Sequence, residues 1–289
     1  MTRALNRLGL GTVQFGQAYG ISNTRGRVPP DDVAAILHRA ASAGLGTLDT
    51  AAGYGDAEDV LGALAALTRP FRLVTKTIPS KHGLETVIAR ARQSVATLGR
   101  ERVDLLLVHS AADLAGANGD ELWNRLLALR DEGLFGGIGI SAYVADDPLS
   151  LARRFRPAAM QVPLSLLDQR LIQTGALAEI KALDVEIHAR SLFLQGLLFL
   201  PADRLPPRLH YAAAHLGAVR TQIQGAGTTP LAAALAFALN RPEIDAAIVG
   251  VTSPAELEEI LAAAAEPPPR LDWAACALAD ELILTPSRW

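Results

Sequence analysis

Short apolar runs alternate along the chain with stretches in which apolar residues recur at helical spacing. The runs have the length of buried strands and occupy 8–15, 45–50, 71–76, 103–110, 136–141, 158–165, 185–191 and 246–251. The amphipathic or alanine-rich stretches between them occupy 31–43, 57–67, 84–98, 121–132, 147–155, 174–183, 230–240 and 254–264. Repeated strand–helix units of this kind predict an α/β fold in which parallel strands close into a (β/α)8 TIM barrel.

A doubly wound open sheet is the alternative α/β architecture. Such a sheet normally carries a GxGxxG motif after its first strand, whereas the first strand here is followed by GQAYGISNTRGR. The pattern therefore favours the barrel, as a single domain over 1–289 with a final helix at 272–283. The longest irregular segment, 192–229, follows the seventh strand. We expect it to be an extended loop, either a lid or cofactor clamp over the active face or a simple surface insertion.

Composition excludes several classes of function. Lys and Arg number 27 against 30 Asp and Glu, a formal net charge of −3, and the arginines are scattered, so neither nucleic acid nor an anionic membrane is an expected partner. No apolar run reaches the length of roughly 18 residues needed for a membrane span, so no transmembrane helix is expected. Arg7 and several glycines interrupt the apolar stretch of 1–16, so no signal peptide is expected. The one cysteine, Cys276, and the spacing of the histidines predict no disulfide and no metal site. We expect a soluble cytoplasmic protein, with its oligomeric state left open.

The candidate chemistry lies at the carboxyl ends of strands, where barrel enzymes carry their active sites. Strand 2 ends in Asp49 with Tyr54 in the next loop, strand 3 ends in Lys76, and strand 4 ends in His109. Only three of the 27 basic residues are lysines, and Lys76 is the one that ends an apolar run. Each of the other three residues has a structural explanation of its own: Asp49 could cap a helix or turn, Tyr54 could be an interfacial aromatic residue, and His109 could be a polar residue with a satisfied hydrogen bond. A lysine at the end of a buried strand, however, needs a partner.

These four residues suit the delivery of a proton to a carbonyl oxygen. A phenol is a weak acid at neutral pH, and a neighbouring ammonium makes it a stronger one. Lys76 would act on Tyr54 in this way, Asp49 would hold Lys76, and His109 could orient the carbonyl. No side chain can supply a hydride, so reduction would require a cofactor.

At these residues the chain resembles the aldo-keto reductase superfamily. LDTAAGYG (48–55), VTK (74–76) and LLVHS (106–110) resemble the motifs of its Asp/Tyr/Lys/His tetrad, and LGLGTVQFG (8–16) and AIVGVTSPAELEE (247–259) extend the similarity over nearly the whole chain. The resemblance implies an NAD(P)-dependent oxidoreductase that reversibly reduces an aldehyde or ketone, with a nicotinamide hydride and with Tyr54 as proton donor.

The identity of the substrate and the rate of turnover stay open. Polar residues at the barrel mouth allow a sugar-derived carbonyl. The alternatives are a catalytically slow NAD(P)-binding sensor or subunit that retains the fold, and another barrel chemistry such as isomerisation, which would need no dinucleotide.

The resemblance also implies a set of cofactor contacts. Ser141 and Gln161 match positions that hold the nicotinamide carboxamide, and Glu259 matches an acid that contacts adenine. The full set consists of Thr12, Asp49, Ser141, Gln161, Arg190, Ser191, Leu192, Gly250, Thr252, Ser253 and Glu259.

The sequence departs from the family pattern at three positions. Ala142 stands where an asparagine normally holds the carboxamide. Arg190 replaces the aromatic residue that stacks on the nicotinamide; it could stack in its place, bind an anionic group, or pair with an acid at the barrel mouth. Glu256 stands where an arginine is common, and no basic residue lies between 250 and 269. We therefore expect NAD(H) to be favoured or weakly discriminated from NADP(H), unless the hydroxyls of Thr252 and Ser253 and an arginine from 192–229 substitute.

Overall fold

A computed structural model describes residues 3–289, so the first two residues of the predicted domain lie outside it. Eight parallel strands pair in sequence order and close into a barrel in which the last strand pairs with the first. The predicted α/β barrel is confirmed. The strands are β1 (Leu8–Gly11), β2 (Thr47–Asp49), β3 (Arg72–Lys76), β4 (Val103–Val108), β5 (Phe135–Ser141), β6 (Ala159–Pro163), β7 (Glu186–Arg190) and β8 (Ala246–Gly250).

Helices follow the strands on the outside of the barrel. Those of seven or more residues are α1 (Pro30–Ala43), α2 (Ala57–Ala63), α3 (Leu84–Thr97), α4 (Gly119–Asp131), α5 (Pro148–Phe155), α6 (Ala176–Ala182), α7 (Ala213–Gly225), α8 (Pro230–Leu239) and α9 (Pro254–Ala264). Single helical turns also form at Arg3–Asn6, Val13–Gly16, Ala65–Thr68, Ala112–Ala115, Arg170–Gln173 and Glu281–Leu284. No helix among residues 3–289 is both long and apolar enough to cross a membrane.

The predicted helix ends have local causes. Proline fits the first turn of a helix because the amide it lacks has no partner there, and α1 and α9 both begin at a proline. The hydroxyl of Ser253 accepts a hydrogen bond from the Glu256 amide, 3.2 Å away, which caps α9. Helix α1 ends at Ala43, and the next residue, Gly44, has a left-handed φ of 82°.

The segment after β7 is less irregular than predicted. Residues 213–225 of the expected loop form α7, which buries Leu216, Val219 and Ile223 along one face. The rest of 192–229 consists mainly of short 3₁₀ turns at Leu194–Gly196, Ala202–Arg204 and Pro207–Ala212. The extended part of this loop therefore ends near residue 212.

The predicted final helix at 272–283 is wrong. A 3₁₀ turn at Ala274–Cys276 is followed by extended chain and then by the single turn Glu281–Leu284. The amide of Leu278 donates to the carbonyl of Leu167, 2.8 Å away, so it is not available to a helix in its own segment. The carboxylate of Asp280 then caps the last turn by accepting from the amides of Leu282 and Ile283.

The core has two layers. A small cluster of Val74, Leu105, Leu107 and Ala159 joins side chains of β3, β4 and β6, and a larger cluster packs the strands against the helices. Alternation along each strand sends neighbouring residues to opposite faces. Because all strands are parallel, their carboxyl ends meet at one mouth, where Gly11 pairs with Asp49 and Ser141 pairs with Gln161.

Candidate active site

Lys76 lies buried at the end of β3 within reach of two of the predicted catalytic residues. Its Nζ donates to Asp49 Oδ2 at 2.7 Å and to the Thr50 carbonyl at 2.9 Å, and lies 3.3 Å from Tyr54 Oη. The residue is 1% exposed. Burial alone would lower the pKa of Lys76, but the facing Asp49 carboxylate and the Tyr54 phenol outweigh it and hold the pKa above its usual value. The ammonium is therefore charged at neutral pH.

Asp49 is bound through both carboxylate oxygens. Oδ2 accepts from Lys76, and Oδ1 accepts from Gln161 Nε2 at 2.7 Å across the barrel mouth. Asp49 and Gln161 are both buried. Two donors of this kind fix the position of the carboxylate beside the ammonium.

A close approach of two loops places Tyr54. A Cβ added at Gly16, after β1, would lie 1.9 Å from the Tyr54 carbonyl oxygen and 2.5 Å from the Ala57 amide. Gly55, which follows the tyrosine, has a left-handed φ of 55°, and a Cβ added there would lie 2.5 Å from the Gly16 carbonyl oxygen. Glycine is needed at both positions, and the phenol is thereby carried to Lys76.

His109 packs against Tyr54 edge to face, with ring centroids 5.6 Å apart. Its own backbone amide donates to the hydroxyl of Thr77. Burial, reinforced by the positive charges of Lys76 and Arg190, lowers the pKa of His109 from 6.5 to about 4. The imidazole is neutral at neutral pH and can donate one N–H to an acceptor.

The tetrad (Asp49, Tyr54, Lys76 and His109) stands at one end of a cleft of about 730 Å³ that reaches to the start of α9. Tyr54, His109 and Asp49 line the cleft, whereas Lys76 lies behind them. The predicted cofactor residues that line it are Thr12, Asp49, Ser141, Gln161, Arg190, Ser191, Leu192, Gly250, Thr252 and Glu259. Ser253 lies at the edge of this group with its hydroxyl capping α9.

The cleft suits a long polar ligand such as a nicotinamide dinucleotide. The side-chain oxygen Oε1 of Gln14 is shielded from solvent, lines the cleft and accepts no hydrogen bond. A buried acceptor of this kind is stabilised when a ligand supplies the missing donor. Gly250 keeps space beside it, because a Cβ there would lie 2.7 Å from Gln14 Nε2.

At the start of α9, Glu256 already occupies two donors that could meet a phosphate, both of them on Thr252. Its carboxylate accepts from the Thr252 amide at 2.6 Å and from the Thr252 hydroxyl at 2.7 Å. A helix N-terminus favours anions, and here that anion is a side chain of the helix itself.

Among residues 3–289 Arg190 forms no ion pair with an acid, so the acid-paired option is wrong. Its guanidinium lies over the ring of Tyr143, 4.2 Å from the centroid, and donates at 3.3 Å to the Ala142 carbonyl and at 3.3 Å to Ser191 Oγ. Tyr143 is a residue that the sequence reasoning missed. Its signal was its place two residues beyond the end of β5, where side chains reach the barrel mouth.

No group of three or more His, Cys, Asp or Glu side chains that could hold a metal ion occurs within residues 3–289.

Comparisons with known proteins identify the family. A sequence model of the Aldo/keto reductase family matches residues 7–281. L-galactose dehydrogenase of Arabidopsis thaliana is 28% identical over 288 residues, covering 91% of this chain and 88% of that protein. An aldo-keto reductase of Mycolicibacterium vanbaalenii is 34% identical over 154 residues, which cover 51% of this chain and 52% of that protein.

Solved structures show the same fold. The holo form of an aldo-keto reductase from Bacillus halodurans has a TM-score of 0.72 at 20% identity, covering 91% of this chain and 87% of that one. An aldose reductase from Giardia lamblia has a TM-score of 0.68 at 18% identity, covering 94% and 91%.

Proposed function

The chain belongs to the aldo/keto reductase family, and on that premise we propose that it is an NAD(P)-dependent oxidoreductase that reversibly reduces an aldehyde or ketone to the alcohol. The observation that carries this proposal is the contact between Lys76 Nζ and Tyr54 Oη, 3.3 Å apart beside a cleft that suits a dinucleotide. A bound nicotinamide dinucleotide would supply the hydride.

In this proposal Tyr54 delivers the proton. Its hydroxyl faces the cleft on one side and the buried ammonium on the other, so negative charge left on the phenol oxygen is stabilised by Lys76. Asp49 holds Lys76 in place and does not touch the substrate. His109, neutral at physiological pH, would donate an N–H to the carbonyl oxygen and orient it towards Tyr54.

The cofactor would bind along the predicted residues from Ser141 and Gln161 to Glu259, and the arrangement at α9 favours NAD(H). A 2′-phosphate would meet the Glu256 carboxylate, which already fills the amide and hydroxyl of Thr252. Charge repulsion and competition for the same donors both oppose the phosphate. The side-chain Nε2 of Gln161 donates to Asp49, so the side-chain oxygen Oε1 would be left to accept from the nicotinamide carboxamide.

A sugar-derived carbonyl is the substrate class that we favour. The relative that spans 91% of this chain is named an L-galactose dehydrogenase. Polar side chains at the mouth of the cleft, including Gln14, Gln17 and Tyr19, could hydrogen-bond the hydroxyls of a sugar.

Tyr54→Phe tests the proposal because it removes one hydroxyl and little else. We expect turnover of aldehydes, followed through the absorbance of the reduced nicotinamide, to fall by about 100-fold or more, the range of general acid catalysis. Dinucleotide affinity, measured by fluorescence quenching, should change little. Tyr211→Phe is the matched control, since Tyr211 is 58% exposed and lies outside the cleft.

Two results would contradict carbonyl reduction. Wild-type protein that binds the dinucleotide but is as slow as Tyr54→Phe would favour the sensor or subunit, a function that the missing amide at Ala142 also suits. Protein that binds no dinucleotide would favour a different barrel chemistry.

A further inference from the structure

An arginine without a counter-ion lies in the half of the cleft next to the tetrad. None of the ion pairs found within residues 3–289 includes Arg190. Its two hydrogen bonds go to neutral acceptors, the Ala142 carbonyl and Ser191 Oγ, each at 3.3 Å. These are long bonds for a guanidinium, which forms shorter and stronger ones with a carboxylate or phosphate.

The acids that line the cleft are Asp49, Glu256 and Glu259, and none of them pairs with Arg190; Glu259 lies on α9, at the other end of the cleft. Asp49 is neutralised by Lys76 at 2.7 Å, and Glu256 is turned towards its own helix, where it binds Thr252. His109 is uncharged, and burial together with the charges of Lys76 and Arg190 keeps its pKa low. The tetrad half of the cleft is therefore positive by one guanidinium.

Aromatic and hydroxyl groups surround this charge. Three of the four tyrosines of the chain, Tyr19, Tyr54 and Tyr143, line the same cleft. The ring of Tyr143 packs against one face of the Arg190 guanidinium in a cation–π contact. The hydroxyl of Tyr19 accepts from Gln195 Nε2 at 3.2 Å, which leaves its own O–H as a donor.

We propose that Arg190 is a specificity-determining residue that pairs with an anionic group, a carboxylate or a phosphate, on the carbonyl substrate. This inference rests on the proposed function, because it concerns the substrate of the same site. The anion would supply the missing counter-ion, and the remaining N–H groups of Arg190 would hold it by charge-assisted hydrogen bonds. The carbonyl of such a substrate would lie towards Tyr54 and His109.

Stacking of Arg190 on the nicotinamide explains the structure less well. One face of the guanidinium is already covered by Tyr143. The oxidised nicotinamide ring carries a positive charge, so a cation stacked on it would oppose one direction of a reversible reaction.

Matched pairs of aldehydes test the proposal. 4-Carboxybenzaldehyde and 4-carbamoylbenzaldehyde have the same shape and differ by one charge, and their rings suit a tyrosine-lined cleft. Glyceraldehyde 3-phosphate and glyceraldehyde form the phosphate arm. We expect kcat/KM of wild-type protein to be higher for the anionic member by at least about tenfold in one of the arms, which identifies the anion. Ratios near unity in both arms would overturn the proposal.

Arg190→Gln should reduce this anionic-to-neutral ratio by about tenfold or more, chiefly through the KM of the anionic substrate, and Arg190→Lys should restore part of it. Arg204→Gln removes the same charge from an exposed position outside the cleft and should leave the ratio as in wild type. If Arg190→Gln lowers kcat/KM of both members equally and weakens dinucleotide binding, the arginine acts on the cofactor, and the proposal is wrong.

A binding measurement separates this proposal from the proposed function. Should no aldehyde be reduced by any variant, carbonyl reduction fails, and calorimetry with the unreactive anion 4-carbamoylbenzoate then decides. Binding to wild type that Arg190→Gln weakens by about tenfold supports the anion site. Equal affinity in the two proteins, or no binding to either, overturns it.

Discussion

At the residue scale, the buried pair of Asp49 and Lys76 sets the charge beside Tyr54. Removing a carboxylate and an ammonium from water is costly, and the cost is offset here by their contact at 2.7 Å and by two further partners. Those partners are Gln161, which donates to Asp49, and the Thr50 carbonyl, which accepts from Lys76. Truncating either member would leave the other charge buried and uncompensated.

The sequence allowed the members of this cluster to be predicted, but only some of their contacts. Asp49 and Lys76 end β2 and β3, and His109, the predicted end of strand 4, directly follows the last residue of β4, so their convergence follows from the barrel. The bond between Gln161 and Asp49 could not be predicted, because a strand-end position says where a side chain begins and not which partner it selects. The contact of Arg190 with Tyr143 could not be predicted either, because the two residues follow different strands and only the packing at the barrel mouth brings them together.

Lys76→Arg tests whether the ammonium itself is needed. The lysine Nζ lies within 3.3 Å of three oxygens in a site that is 1% exposed. The larger, planar guanidinium cannot occupy the same point with the same three contacts. We expect folded protein by circular dichroism and a loss of turnover of about 100-fold or more.

The exposed Lys81→Arg is the control for the lysine-to-arginine change. Full activity of Lys76→Arg would mean that any cation suffices beside Tyr54. The scarcity of lysine in this chain would then be a matter of composition alone.

At the element scale, two loops and one helix start shape the cleft. The loop after β1 approaches the loop of Tyr54 so closely that a glycine stands on each side, at 16 and 55. Helix α9 turns Glu256 back onto Thr252. Short-range patterns predicted these elements, but not their mutual contacts.

Gly16→Ala should therefore affect activity from outside the tetrad. The new methyl would lie 1.9 Å from the Tyr54 carbonyl oxygen, so the loop that carries the phenol must move. We expect a loss of about 1–3 kcal/mol in the free energy of unfolding, measured with urea, together with reduced turnover. Gly116→Ala is the control, because its φ is −74° and nothing lies within 4 Å of the added Cβ. Equal effects of the two variants would contradict the argument.

Glu256→Gln should shift the cofactor preference towards NADPH. The change removes the negative charge at the start of α9 and leaves a side chain of the same length. We expect the ratio of the dissociation constants of NADPH and NADH, titrated by fluorescence quenching, to fall by about tenfold.

Glu266→Gln removes the same charge beyond the other end of α9 and should not change the ratio. Markedly tighter binding of NADPH than of NADH by the wild-type protein would contradict the preference that we propose.

The errors in the predicted elements have physical causes. In α7, the buried residues Leu216, Val219 and Ile223 follow helical spacing, so a signal was present and was masked by the proline-rich stretch before it. At 272–283, alanine-rich composition indicated a helix, but the long-range bond from Leu278 to Leu167 prevents one. Local propensity does not report such a partner.

At the scale of the whole molecule, the cleft joins parts of the chain that are distant in sequence. Tyr19, after β1, meets Gln195, after β7, and Ser22 donates to the Gln195 carbonyl at 3.1 Å. These contacts join the loop after β1 to the loop after β7 in the lining of the cleft. That the whole chain acts as a single domain remains our prediction.

The low pKa of His109 links the candidate site to the stability of the whole fold. In the folded protein burial, with Lys76 and Arg190 nearby, lowers this pKa from 6.5 to about 4, while Asp49 opposes the shift. The unfolded chain therefore binds the proton first as the pH falls. The free energy of unfolding should decrease between pH 6.5 and pH 4, with a contribution from His109 of up to about 3 kcal/mol.

Urea unfolding across this range, compared between wild type and His109→Asn, measures that contribution. Because asparagine does not titrate, the variant should lose less stability on acidification, and the two curves should converge as the pH falls from 6.5 towards 4. His38→Asn, at an exposed position on α1, should keep the wild-type slope. If His109→Asn loses stability as steeply as wild type, His109 takes up its proton in the folded protein at a pH near 6.5. The proposal that a neutral His109 donates to the substrate carbonyl would then be wrong.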